Sequence, residues 1–514
     1  PHQMKLYHEE GISMPAIEKL AEQGIVFDNA FSNAPVCSVA RSTLITGCYA
    51  PRIFTQFHRK AKQVPLPQGI MPFPFYLKQA GYYTTNNHKQ DYNFILPDGV
   101  WDESSKKAIY KNRKPGQPFF HVQNHTVTHE GNLHFNQKDI DDSSDEDLDH
   151  IKVFPYHPDT KTFRYSYYHF QKRHLMADQQ MGKFIADLEE QGLMDDTIIF
   201  YFGDHGGVLP RSKGYAYESG LQVPLVVYVP EKWKHLFHHS RGSRVKTFVA
   251  FIDFAPTVLS LAGITPPKNM DGTAVMGKFS EASKVQTKNT ALGHADRFDE
   301  SVDMIRAVRN RKFKYLKNFH PNRPYYLPLA YREQMEVMQE LLRLRDAGEL
   351  DKVQAQWFRQ SKEVEELFDI ENDPHELNNI ANDPTYATVL DRLREECDRW
   401  MKSIDDKGFI NEVDLIMDFY PNGKAQLTTA PKIEFKDKKV SVSATTPGAQ
   451  IGYRYISEKA PYRGWKHYTG PIEEKTNDTL EIIAHRLGFK YAITTVVDGV
   501  IKKTIHPPNR HDKK

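Results

Sequence analysis

The chain has 514 residues, more than one compact core normally takes, so about two to four folded units are expected. Hydrophobic residues make up 39% and charged residues 26%, a composition that excludes a fibrous or disordered chain. With 68 basic and 66 acidic residues the net charge is +2, which gives no overall pull toward nucleic acid, and no apolar run is long enough to span a bilayer.

The first residues, "PHQMKLYHEEG", carry no initiator Met, no basic leader and no apolar leader core. A segment upstream of Pro1 is expected to have been removed, so the lack of a leader does not place the protein in the cytoplasm. An amphipathic helix is predicted over Met14 to Gln23, and "GIVFDNAF" then reads as a strand. In "NAPVCSVARSTLITG", Pro35 and its small neighbours predict a loop, and Ser38 to Ile45 a helix. Cys37 stands at that helix start, where free N–H groups favour an anion, and Arg41 returns to the same face one turn on. A catalytic thiol, a metal ligand, a core residue and the precursor of another group all remain open for Cys37. Cys37, Cys48 and Cys397 are too few and scattered for a disulfide framework or a zinc finger, although a Cys37–Cys48 bridge stays open.

"GYYTT" reads as an alternating strand, and further apolar runs follow, each beside a helical pattern: "PFFHVQN", "TIIFYFGD", "VPLVVYVP" and "VAFIDFAPTVLSLAG". Strands apolar on both faces and alternating with helices predict an α/β fold, with a mixed, mostly parallel sheet between helices. Sites in such sheets form beyond the carboxyl ends of the strands, and polar clusters fall there. "NNHKQDYN" places Lys89 and Asp91 after one strand. "HTVTHE" places His125 and His129 after another, and "GDHGGVLPRSKG" places Asp204, His205 and Lys213 after a third. Together they supply oxygen ligands for a hard cation and several cations around an anion. The acidic run "DIDDSSDEDLD", Asp139 to Asp149, lacks the central glycine of a calcium loop and reads as a solvated surface. "HADRFDE", His294 to Glu300, follows a strand and is expected to line the pocket through His294.

From about residue 301 the texture changes to the short strands of "RAVRNRKFKYLKNF" and the helical "REQMEVMQELLRLRDAG" and "YATVLDRLREECDRWMKS". The expected division is a catalytic α/β unit over 1–300, a smaller α+β subdomain over 301–420, and a small β-sandwich over 425–506. Trp465, Tyr462 and Tyr468 of the last unit suit a carbohydrate platform, but packing of a small core is the favoured reading.

These motifs in this order resemble the formylglycine-dependent sulfatases of the alkaline-phosphatase-like superfamily. "CSVARSTLITG" is similar to the family's cysteine signature, and "GDHGG…SKG" to its second metal segment and sulfate-binding lysine. "IDFAPTVLSLAGI" and "ELFDIENDPHELNNIA" resemble later landmarks, so the likeness covers roughly residues 14–405. It implies that Cys37 is oxidised by a formylglycine-generating maturase to an aldehyde, whose hydrate carries two oxygens. One would attack sulfur, and the second would expel sulfate without an attacking water. It implies that Arg41 holds the modified side chain, that Lys89 and Lys213 neutralise sulfate, and that His129 contacts sulfate or the leaving oxygen. Asp204, His205 and residue 37 would ligate one Ca²⁺, with His125 a neighbour of the site. The substrate class implied is a sulfated carbohydrate, in the periplasm or outside the cell.

The sequence departs from the pattern at three places. No Asp-Asp pair precedes Cys37, so the cation site implied by the resemblance is incomplete as written. Val39 stands where the signature prefers Pro or Ala. Asp91 stands where the family has a histidine, and is expected to orient Lys89 or receive a sugar hydroxyl. A sulfamidase, a phosphoryl-transfer relative and a catalytically impaired binder of sulfated glycans are the alternatives.

Overall fold

The computed structural model describes residues 1–419, 427–447, 449–456, 465–475, 478–486 and 490–506. Helix α1 (Pro15–Glu22) has Pro at its first position and buries Ile17, Leu20 and Ala21, the one-sided stripe expected of its sequence. Strand β1 (Gly24–Phe31) follows at once, and α2 (Cys37–Thr46) ends on Gly47, whose φ of 65° closes the helix in the left-handed conformation. After α3 (Phe73–Gln79) come β2 (Tyr83–Asn87), the short β3 (Glu103–Ser104) and β4 (Phe119–Gln123). Both neighbours of β2 run parallel to it.

The acidic run forms two short helices, α4 (Gln137–Asp141) and α5 (Asp145–Leu148), with mostly exposed charges, as a solvated surface requires. The long α6 (Lys161–Glu190) leads to β5 (Ile199–Phe202), α7 (Glu218–Leu221), β6 (Leu225–Tyr228) and β7 (Ser243–Ala250). The sheet order is β5-β6-β1-β7, with β7 parallel to β1 and β6 antiparallel to both β1 and β5. All four residues of β6 are buried, each apolar one contributing roughly 1.5–3 kcal/mol. The run "VAFIDFAPTVLSLAG" is only briefly a strand: β7 stops at Ala250 and α8 (Phe254–Leu261) takes over. Asp253 Oδ2 accepts from Ala250 N at 3.0 Å and turns the chain there.

After α9 (Ala282–Thr287) a second antiparallel sheet holds β8 (Thr290–Ala295), β9 (Ile305–Asn310), β10 (Phe313–Asn318) and β11 (Glu365–Asp369). The helices α10 (Ala330–Glu333) and α11 (Glu336–Ala347) precede β11, and α12 (Ala387–Ser403) and α13 (Glu412–Phe419) follow it. Phe31 and Val36 share one apolar core with Tyr315, Leu367 and Trp400, so residues beyond 301 pack into the part that carries the site.

Beyond residue 430 two antiparallel sheets of three and five strands face each other across Val440, Val442, Leu480, Ile482 and Val496. Tyr468 is part of this packing and its hydroxyl accepts from Val442 N at 2.9 Å. The Arg454 guanidinium covers the Trp465 ring at 4.4 Å. Tyr468 therefore packs the small core, and Tyr462 lies outside the described residues. Cys37, Cys48 and Cys397 are all free and buried, so no Cys37–Cys48 bridge forms. Among the described residues no helix is long and apolar enough to cross a membrane.

Candidate active site

Cys37 opens α2 behind Val36, whose backbone is extended, and its side chain is fully buried. The preceding loop is fixed from three sides. Asn33 donates to Leu292 O at 2.7 Å and accepts from Ile252 N at 2.8 Å, while Gly214 N donates to Pro35 O at 2.8 Å. This last bond brings the loop bearing Lys213 against the start of α2. Burial pushes the Cys37 thiol up to about 11, and the charges of Lys213 and Lys89 only partly oppose it. At neutral pH the group is a thiol and a weak nucleophile, despite its helix start.

Arg41, one turn on, gathers three segments. Its Nε donates to Asp204 Oδ2 at 2.7 Å, and its Nη1 to Asn124 Oδ1 at 2.9 Å and to Lys89 O at 3.2 Å. The carboxyl ends of β2, β4 and β5 thereby converge on one guanidinium, which only a planar fork can do. Lys89 Nζ lies 3.4 Å from Asp204 Oδ2 and 3.8 Å from Asp91 Oδ2. Burial alone would raise the Asp204 carboxyl, but Arg41 and Lys89 hold it well below its usual range.

His129 and Glu130 face the same space from the loop after β4. His129 Nδ1 accepts from Gly131 N at 3.0 Å, which leaves the ring proton on Nε2. Burial, then Lys213 and Lys89, bring its pKa down to about 4, so the ring is neutral at pH 7. Glu130 is buried between Lys213 Nζ at 2.9 Å and Arg332 Nε at 2.8 Å. Burial opposes its ionisation, but the two cations hold it far below the usual carboxyl range.

Cys37, Arg41, Lys89, His129, Asp204, His205 and Lys213 are thus brought together, with Asp91 beside Lys89. One expectation is corrected. His294 does not line the pocket: it is fully buried, with Nδ1 2.8 Å from Asp296 Oδ2, and Asp296 Oδ1 meets Arg306 at 3.1 Å. The ring sits inside an ion network under β8 and β9. Of the expected cation ligands, His205 Nε2 lies 3.8 Å from Asp204 Oδ1. Among the described residues no three His, Cys, Asp or Glu side chains are placed to hold a metal, and Asp204 is engaged by Arg41 and Lys89.

His125 turns away, with Nδ1 2.9 Å from Gln180 Oε1. Sequence reasoning missed Asn124, Glu130 and Arg332. The first two lie inside or beside "HTVTHE", but Arg332 is some 200 positions from its partner and carries no local signal.

Comparison with known proteins points to one family. The sulfatase family profile matches residues 1–264, and a second, "N-sulphoglucosamine sulphohydrolase, C-terminal", matches residues 203–360. An "Ulvan-active sulfatase" of Formosa agariphila is 36% identical over 94% of this chain and 87% of its own length. The chain belongs to the sulfatase family. It is a sulfuric ester hydrolase. The human N-sulphoglucosamine sulphohydrolase is 23% identical over 77% of this sulfatase and 86% of its own chain. A solved structure of an enzyme with its substrate D-glucosamine-2-N,6-O-disulfate superposes with a TM-score of 0.53 at 17% identity, covering 77% of this chain and 94% of that one. A 2-O glycosaminoglycan sulfatase does so at 0.54 and 16%, covering 76% and 87%. These two likenesses establish the alkaline-phosphatase-like fold.

Because Arg41 joins three strand ends through one fork, Arg41→Lys is expected to lower kcat/KM for 4-nitrophenyl sulfate by roughly 10–100-fold, as loss of charged hydrogen bonds does. Unchanged kinetics in that steady-state assay would remove Arg41 from the site.

Proposed function

We propose that this sulfatase hydrolyses sulfate esters of carbohydrates through a formylglycine made from Cys37. The observation that carries the reading is a buried, un-ionised Cys37 at a helix start, with Lys89, Lys213 and His129 gathered around it. A thiol held near pKa 11 is unsuited to attack, whereas residue 37 oxidised to formylglycine supplies two hydrate oxygens, one to attack sulfur and one to expel sulfate. The name of the Formosa agariphila relative supports a sulfated polysaccharide as substrate.

The chain's own groups then have distinct tasks. Lys89 and Lys213 bind sulfuryl oxygens and offset the charge that grows on them in the transition state. His129, neutral and protonated on Nε2, donates to the ester oxygen that departs. Arg41 holds Lys89, Asp204 and the helix start in register, and Glu130 with Arg332 aims Lys213. Asp91 fixes Lys89 from its other side. Asp204, His205 and the oxygens of residue 37 would hold one side of a Ca²⁺ ion, which would draw charge from the sulfuryl oxygens; no step is assigned to that ion.

The reading includes export to the periplasm or cell exterior, a formylglycine-generating maturase as partner, and the division at 1–300, 301–420 and 425–506. The test is mass spectrometry of the peptide bearing residue 37 after co-expression with a maturase, paired with sulfate release from 4-nitrophenyl sulfate. An aldehyde at residue 37 with sulfate release supports the proposal, and an unmodified thiol in a fully active preparation defeats it. A second reading, sulfamidase, is favoured by the match over residues 203–360. Sulfate release from N-sulfo rather than O-sulfo glucosamine would select it.

A further inference from the structure

Two loops meet beside Lys213. His58 and Phe298 form an isolated parallel bridge, His58 N donates to Arg297 O at 3.0 Å, and Arg297 Nη2 donates to Arg59 O at 3.1 Å. Phe298 closes over Gly214, where a Cβ would stand 2.2 Å from its ring, so both loops are locked to the one carrying Lys213. His58 also ties them to the nucleophile helix, with Nδ1 2.7 Å from Ser38 Oγ. The appended β region braces the far side, where His467 Nε2 lies 2.8 Å from Glu300 Oε1.

The residues after the bridge, Arg59 and Asp299, have φ of 43° and 44°. Left-handed backbone is costly for Arg59, though readily adopted by Asp, and at Arg59 it persists where surrounding contacts impose it. Arg59 is exposed, and no hydrogen bond or ion pair among the described residues engages its guanidinium. The Asp299 side chain is 24% exposed, and its Oδ1 lies 3.8 Å from Nε2 of His58, a ring that burial keeps neutral. Arg59 and Lys213 lie close enough for their charges to act on Asp299. Tyr331 completes the wall: it is 44% exposed, its ring rests against His134 at 4.5 Å, and it feels the charges of Lys213, Arg59 and Asp299. Had Arg59 and Asp299 evolved only to neutralise each other, they would form a direct ion pair, and they do not.

We propose that Arg59, Asp299 and Tyr331 form the sugar-binding subsite beyond the sulfate, selecting an anionic sugar substrate. Asp299 accepts from hydroxyls of the ring that carries the ester, Tyr331 lies against that ring, and Arg59 binds an anionic substituent on it or its neighbour, a carboxylate or a second sulfate. This rests on the carbohydrate sulfatase reading above.

The test compares wild type, Arg59→Gln and Asp299→Asn on 4-nitrophenyl sulfate, a sulfated uronate-containing disaccharide, and the same disaccharide with its carboxylate reduced to the alcohol. Asn tolerates left-handed backbone, so Asp299→Asn keeps the loop. Each variant is expected to lower the ratio of kcat/KM between uronate disaccharide and aryl sulfate about tenfold or more, the weight of a charge-assisted hydrogen bond. If Arg59 takes the carboxylate, reduction brings wild type down to the Arg59→Gln level. If it takes a second sulfate, the Arg59→Gln loss persists on the reduced disaccharide. Ratios within about twofold of wild type in both variants overturn the subsite. Wild type that cleaves aryl sulfate but neither disaccharide overturns the subsite and leaves the sulfatase standing, while inertness toward all three overturns both.

Discussion

Cys37→Ala is expected to abolish sulfate release from 4-nitrophenyl sulfate, lowering kcat by at least ~10³-fold, the scale set by removal of a covalent nucleophile. The side chain is small and its loss leaves the charges of Lys89, Lys213 and Asp204 in place, so folding should lose only about 1 kcal/mol. Cys37→Ser makes the sharper comparison. Serine has one oxygen: it can attack sulfur and be sulfated, but has no second hydroxyl to expel the sulfate. The expected result is at most one turnover and a sulfated residue 37 by mass spectrometry. Continuous turnover by Cys37→Ser would mean that water completes the reaction, and the two-oxygen account would fall.

Glu130→Gln is expected to cost about 3–5 kcal/mol, because it leaves Lys213 and Arg332 buried without their shared counter-charge. Urea unfolding at neutral pH measures this, and kcat for aryl sulfate should fall with it as Lys213 loses its aim. The pH dependence has a fixed sign. Glu130 has a folded pKa below its unfolded value of about 4.5, so its contribution is complete above pH ~4.5 and is lost as pH falls toward the folded value. The gap in stability between wild type and Glu130→Gln should therefore narrow on acidification from pH 5 downward. A gap that stays constant to pH 3 would show that the carboxylate charge is not what stabilises the pair.

The strand and helix elements around the site were legible because each is one-sided or two-sided in hydrophobicity over a short window. The helix opened by Cys37, the strands before Lys89, His125 and Asp204, and the antiparallel pair Ile305–Asn310 and Phe313–Asn318 all follow from local pattern. "VAFIDFAPTVLSLAG" was not, because uniform burial erases the difference between the periods of strand and helix, and the turn at Asp253 depends on its bond to Ala250 N. "HADRFDE" was expected to line the pocket through His294, but β8 points His294 inward to Asp296 and Arg306. Asp299, at the loop end of the same stretch, lies within reach of the Lys213 charge.

By itself, then, the sequence determined the family, the place of Cys37 at a helix start and the cationic groups at strand ends, since these are short motifs whose spacing is set by a single turn or strand. Tertiary structure alone decided which charges are neutralised and which remain for a substrate. Arg41 with Asp204, and Glu130 with Lys213 and Arg332, pair across 83 to 202 positions of chain, while no hydrogen bond or ion pair among the described residues engages the Arg59 guanidinium. Long-range electrostatics depend on distance in space, and only the folded chain sets that.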